Sequence, residues 1–347
     1  SSNGVGNSTV TVNTGASVTG QIKLAGGTDN LTFNGGTFTD VTSFDGGSGT
    51  DSLTFSNVTG TVAGGNVTGM ENVTANAGAS MEFTGTLSAT NLTATGGAAM
   101  TGAIAMDGGA NNVTFDNGDF SGVTSFGGGA GTDSLTFRNL TGTLAGGTVS
   151  GIENVTIGAG GTVSVSGTLD TDTVTVTGTL GGTGILNAAV SVEAGGTLSA
   201  GNSPGLLSIV GNLDLGLSST TLVELGGTTA ETEYDVIDVA DDPGTGGTIE
   251  GIATLVSGAI FNIDFFGGFT AGLGDIFDVL IADTINGDVN SLTFDFFNAQ
   301  LASGLDWDTS IVTISGGAND GREALRLTVL EGESITLPEP AALPLFA

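Results

Sequence analysis

Two stretches of this chain have a spacing that suits cation chemistry. Gly46-Gly47-Ser48-Gly49-Thr50-Asp51-Ser52-Leu53-Thr54 fits the pattern G-G-x-G-x-D-x-U-x, and Gly128 through Thr136, with Asp133, fits it again. In that nonapeptide the glycines permit a tight turn, while Asp and backbone carbonyls hold calcium between successive turns of a coil. Asp29, Asp51 and Asp133 are the ligands this reading selects. Calcium coils string such nonapeptides consecutively so that each ion touches two turns, whereas these copies stand singly, 82 residues apart. The competing reading is structural, because an Asp in a Gly-rich turn commonly caps its own backbone. Calcium is therefore an optional ligand on this reading, and no cofactor is required.

Support for catalysis is thin. Asp241/Asp242 and Asp306/Asp308 are nominal carboxylate pairs, and Trp307 beside the second pair could platform a sugar. Glycoside hydrolysis needs two carboxylates roughly 5–10 Å apart flanking a cleft. Lyases for acidic sugars need bases, and this chain has four: Lys23, Arg138, Arg322 and Arg326. The acidic pairs read as turn residues, and the expectation is that the chain is not an enzyme. With no Cys there is no thiolate nucleophile or disulfide, and with no His there is no imidazole base or ligand. Asn-x-Thr occurs at Asn7, Asn30, Asn57, Asn66, Asn72, Asn91, Asn112, Asn139 and Asn154. These are formal glycosylation acceptors, but an Asn that ends a turn before a Val-Thr or Leu-Thr strand produces the same triplet.

Charge bounds the partners. Thirty-six acids against four bases leave a net charge of -32, which repels nucleic acid and anionic lipid and attracts cations. The same acids also keep a β-rich chain soluble.

The elements that position these residues are strands. The chain has 63 Gly and only 5 Pro, without a three-residue period, so collagen is excluded. Its hydrophobic residues, 38% of the total, sit in short alternating runs of Thr, Val, Leu, Ile and Phe bounded by Gly, Asn and Asp, the strand-and-turn pattern. Residues 22–97 align without a gap to residues 104–179, an offset of 82. Phe33, Phe38, Phe44 and Phe55 recur as Phe115, Phe120, Phe126 and Phe137, and Glu71-Asn72-Val73-Thr74 as Glu153-Asn154-Val155-Thr156. Within each copy, Leu31-Thr32-Phe33 and Leu53-Thr54-Phe55 match Val113-Thr114-Phe115 and Leu135-Thr136-Phe137. Leu and Phe two apart face one way and Thr the other. Turns of roughly 20 residues would stack these pairs into an apolar column with Thr outside. The expected fold is an all-β parallel β-helix (β-solenoid). Residues 1–222 form the repeat solenoid, 223–333 a less regular β-rich cap with antiparallel or broader rungs, and 334–347 an extended Pro-containing tail.

Two family resemblances follow from these residues. GGSGTDSLTF, MENVT, GGTLSAGNSPGLLSIVGNLDLG and AGLGDIFDVLIA resemble rungs of autotransporter-type passenger β-helices, a pattern covering roughly two-thirds of the chain. This likeness speaks for fold and leaves activity open. Leu337-Pro338-Glu339-Pro340-Ala341 resembles the sorting motif of PEP-CTERM proteins. That resemblance implies export by a biofilm-forming Gram-negative bacterium and a surface or matrix destination. The transmembrane helix and Arg cluster that the family carries after the motif are not matched here. The opening SSNGVGNSTVTV reads as a mature terminus, and no run of 18 apolar residues offers a membrane-spanning helix.

The expected role is structural. Copies of a stiff secreted solenoid would associate head to tail into a filament, with extracellular polysaccharide as a further partner. The alternative is a monomeric adhesin or matrix-binding protein. The tail residues Leu337, Pro338, Pro340, Leu343, Leu345 and Phe346 are expected to dock on a neighbouring copy.

Overall fold

The computed structural model describes residues 6–201, 204–241 and 251–332. Asp242 and the tail residues Leu337, Pro338, Pro340, Leu343, Leu345 and Phe346 lie outside these described residues. The molecule is a β-solenoid of parallel sheets, about 60% strand, with no α-helix among the described residues. Among them, no helix is long and apolar enough to cross a membrane.

The principal sheet stacks one short strand per rung. Thr9–Asn13 lies beside Asn30–Asn34, then Ser52–Ser56, Asn72–Ala75, Asn91–Thr95, Asn112–Asp116, Ser134–Arg138 and Asn154–Ile157, all parallel. Register partners Asn30, Ser52, Asn72, Asn91 and Asn112 follow one another at steps of 22, 20, 19 and 21 residues. The next partners, Ser134, Asn154 and Thr173, repeat the steps 22, 20 and 19. The 82-residue duplication is therefore a unit of four unequal rungs. Its irregularities are copied too. Ser17–Lys23 pairs with Thr37–Asp45 through two register shifts, and Ala99–Met106 meets Asp119–Gly127 with shifts at the equivalent residues.

The Leu-Thr-Phe triplets behave as the alternation requires. Leu31, Phe33, Leu53, Phe55, Leu135 and Phe137 are fully buried, while Thr11, Thr32, Thr54, Thr74, Thr93, Thr114, Thr136, Thr156 and Thr175 form one outward column in register. Phe33 stacks on Phe55 at 5.8 Å with Phe38 and Phe44 packed around them, and Phe115 repeats the arrangement on Phe137 at 5.8 Å. Gly60 makes room for this cluster, since a Cβ there would lie 2.5 Å from the Phe38 ring.

Parallel stacking continues beyond residue 222. Thr220–Leu225 pairs with Ile260–Phe265, which pairs with Thr293–Asp295, and Leu213–Leu215 leads through Ile252–Leu255 to Thr284–Asn286. The stack closes on one side with antiparallel strands: Glu323–Glu331 pairs with both Ile276–Ala282 and Leu305–Thr313. Beneath them, the Trp307 ring lies flat on Phe296 at 5.1 Å and its Nε1 donates to the Ala299 carbonyl, 3.1 Å. Trp307 therefore belongs to the cap's packing.

Candidate functional site: a buried column of acids at a solenoid corner

Each strand of the principal sheet is preceded by a corner residue, and the corners of successive rungs lie above one another. At a corner the chain turns away from the sheet, so its N–H loses the carbonyl the ladder would have supplied. A buried N–H must still be paired. Here carboxylates do it. The Asp29 N–H donates to Asp51 Oδ1 and the Asp51 N–H to Glu71 Oε2, each at 2.7 Å, while Ser8 N–H donates to Asp29 Oδ1. In the second copy Asn111 N–H donates to Asp133 Oδ1 and Asp133 N–H to Glu153 Oε2, again at 2.7 Å. The same corners offer their carbonyls to the following rung: Ser52 N–H donates to Asp29 O, Asn72 N–H to Asp51 O and Asn154 N–H to Asp133 O. Each acid thus ties a rung to the one before it through its side chain and to the one after it through its carbonyl.

The three sequence-selected residues are all fully buried, yet they do not form one cluster. Asp29 and Asp51 stand in one column; Asp133 stands in the copied column four rungs on, where Asn111 takes the place of Asp29. In each of the three, one oxygen accepts the backbone N–H of the preceding rung. The other, Oδ2, is buried with no hydrogen-bond partner among the described residues. Burial, the larger effect, pushes the carboxyls of Asp51 and Asp133 above the usual carboxylate range. The backbone N–H opposes it, and neighbouring acids add to it: Asp29, Glu71 and Asp45 for Asp51, and Glu153 and Asp107 for Asp133. Among the described residues, no group of three or more His, Cys, Asp or Glu side chains is arranged to hold a metal ion.

The Gly-rich turn before each Asp has a steric cause. A Cβ on Gly46 would lie 1.8 Å from the Gly69 carbonyl and 2.8 Å from Asp51 Oδ2; on Gly128 the distances are 1.8 Å to the Gly151 carbonyl and 2.7 Å to Asp133 Oδ2. Gly47 and Gly49, with φ of 95° and 138°, sit in the region that only glycine occupies readily, directly over the Ala25 and Gly27 carbonyls. Turn stacks on turn with no space for a side chain, and this accounts for the G-G-x-G-x-D spacing.

Glu71 and Glu153 complete the columns but were singled out by sequence only as repeated residues. The available signal was their place directly before an Asn-Val-Thr strand, where Asp29 and Asp51 precede Asn-Leu-Thr and Ser-Leu-Thr. Asp235, also buried and directly ahead of the strand Val236–Ala240, was missed altogether. Its Oδ1 accepts from Gly205 N–H (2.7 Å) and its Oδ2 from Glu224 N–H (2.9 Å). Burial pushes its carboxyl up to about 7, against the lowering effect of those two donors.

The remaining candidates are placed as follows. Asp306 and Asp308 are exposed on the strand Leu305–Thr313, and Asp241 donates its N–H to Asp283 Oδ2. Asn72, Asn91 and Asn112 form a side-chain ladder, Asn91 Nδ2 donating to Asn72 Oδ1 (2.9 Å) and Asn112 Nδ2 to Asn91 Oδ1 (3.1 Å). Asn57 and Asn139 occupy turns at φ of 52° and 53°. No protein-family model matches the chain, and no curated protein matches it at a significant level.

Proposed function

We propose that this chain is a non-enzymatic structural protein, exported to the surface or biofilm matrix of a Gram-negative bacterium, whose copies join head to tail into a filament. The observation that carries this reading is the uninterrupted rung stack. Inter-rung backbone bonds and buried carboxylates tie each turn to both neighbours, an arrangement suited to a stiff rod. The PEP-CTERM resemblance supports the destination, and the net charge of -32 suits a hydrated matrix without nucleic-acid partners. A second reading, an adhesin for neutral extracellular polysaccharide, draws on the outward Thr column flanked by Asn72, Asn91 and Asn112. Electron microscopy of the purified protein decides between them. Filaments with calcium and with chelator are expected for the structural role; filaments only with calcium would make the ion part of the joint. Single rods in both conditions would overturn self-assembly and leave the adhesin.

A further inference from the structure

The two ends of the principal sheet differ. From Asn30 to Asn154, the Asn or Ser that opens each strand of the principal sheet directs its N–H to the rung before, as Ser52 does to Asp29 O and Asn91 to Glu71 O. By that alternation, Thr9 and Thr11 direct their N–H and C=O groups off the N-terminal end, as Asn13 does its N–H, while the Asn13 carbonyl accepts from Ala16 N–H at 2.9 Å. Among the described residues, Thr9–Asn13 pairs with Asn30–Asn34, and Asn13 also bridges to Gly35 just beyond it. At the opposite end, the N–H of Ile285 in the last strand is already taken by Glu323 Oε2, 2.6 Å.

The N-terminal rung is also incompletely covered where its copy is not. Val10 is 39% exposed, whereas Leu92, its equivalent 82 residues on, is fully buried beneath the rung Asn72–Ala75. Val18 and Ile22 are half-buried, while their equivalents Met100 and Ile104 are buried. The internal junction thus shows what this surface accepts: one more parallel strand whose apolar residues lie over Val10 and Val12.

The chain contains a further strand of that type. Asp29-Asn30-Leu31-Thr32-Phe33, Asp51-Ser52-Leu53-Thr54-Phe55, Glu71-Asn72-Val73-Thr74-Ala75, Asp133-Ser134-Leu135-Thr136-Phe137 and Glu153-Asn154-Val155-Thr156-Ile157 share one pattern: an acid, Asn or Ser, an apolar residue, Thr, an apolar residue. All five open a strand of the principal sheet. Glu333-Ser334-Ile335-Thr336-Leu337 is a sixth occurrence, and it follows directly on Gly332 at the cap.

We propose that Ser334–Leu337 of one copy adds as a parallel strand to the edge of Thr9–Asn13 of a second copy. This rests on the self-assembly reading above and names its joint. In register, Ser334 lies beside Thr9, Ile335 over Val10, Thr336 beside Thr11 and Leu337 over Val12, so that Thr336 extends the Thr column. Pro338 falls beside Asn13, a position whose N–H in this register faces away from the acceptor strand, where proline is tolerated. The acceptor belongs to another molecule for a reason of reach. A dozen rung spacings of about 4.8 Å separate a chain's own Thr9–Asn13 from its last strand Thr284–Asn286. Ser334 follows the described cap by two residues, which extend at most about 7 Å.

The absence of Cys makes the test direct. Neighbouring residues of paired parallel strands stand about 4.8 Å apart, within disulfide reach. A mixture of Thr11→Cys and Thr336→Cys proteins, mildly oxidised, is expected to give a covalent dimer that neither variant forms alone. Deleting residues 333–347 is expected to abolish filaments, while deleting 338–347 retains them, with circular dichroism unchanged in both. Filaments from the intact chain without the Thr11–Thr336 crosslink, or filaments surviving the 333–347 deletion, would overturn this joint and leave self-assembly standing. Single rods from the intact chain at every concentration and salt would overturn the self-assembly reading, and the joint with it.

Discussion

At the scale of the residue, the corner acids do two jobs with one carboxylate: they pair a buried N–H and they keep an unpaired oxygen out of water. Truncating Asp51 to Ala strands the Asp29 N–H, and an unsatisfied buried donor costs about 1–3 kcal/mol. Asp51→Asn keeps an acceptor and removes the buried charge, so a clearly smaller loss is expected in urea unfolding. At the position of Asp29 the second copy carries Asn111, whose amide donates to the Ala89 carbonyl at 2.8 Å and whose Oδ1 has no partner among the described residues. Of the raised carboxyls of Asp51, Asp133 and Asp235, that of Asp235 is moved furthest. Its carboxyl is raised from an ordinary 3.8 to about 7 in the fold, so the folded state binds the proton more tightly than the unfolded chain does. Its contribution to stability is therefore full below the unfolded value and is lost as pH rises through about 7, with a slope of at most about 1.4 kcal/mol per pH unit. Urea midpoints between about pH 4 and 8 are expected to fall with pH in the natural chain, and Asp235→Asn is expected to flatten that component.

At the scale of the element, rung-on-rung contact decides which glycines are obligatory. Gly46→Ala places a methyl 1.8 Å from a backbone carbonyl, whereas a Cβ on Gly65 meets nothing within 4 Å. Gly46→Ala and Gly128→Ala are expected to destabilise by about 3 kcal/mol or more, and Gly65→Ala and Gly147→Ala by less than about 0.5 kcal/mol. Thermal unfolding of the four variants checks the contrast. The strands themselves were legible, because alternation of Leu, Thr and Phe with period two leaves one assignment of faces. The repeat length was legible as 82 residues, but its division into steps of 22, 20, 19 and 21 was not. Corners of different length return to the same register, and only pairing shows where each rung closes. The flat packing of Trp307 on Phe296 was hidden for a similar reason: the closing strand Leu305–Thr313 runs antiparallel to Glu323–Glu331 and brings together residues with no shared pattern.

At the scale of the whole molecule, a rod with a net charge of -32 repels its own copies. Any end-to-end joint must overcome that repulsion, which salt screens over about 10 Å at 0.1 M. Light scattering at fixed protein concentration is expected to rise as sodium chloride is raised from about 10 to 300 mM. A flat or falling response would mean that the joint is dominated by attractive ion pairs.

The sequence by itself determined the class of fold, the direction in which Leu, Thr and Phe face, and the places where chain turns. These are local consequences of side-chain alternation and of glycine's freedom. It also marked Asp29, Asp51 and Asp133, but not what they do. Only the tertiary structure decided that, because the partner of each carboxylate is a backbone N–H 20 to 22 residues away. A backbone group carries no residue identity for sequence to display. Which corners coincide and which N–H groups the sheet leaves over are properties of the coil's closure, and closure is settled by rungs meeting in space.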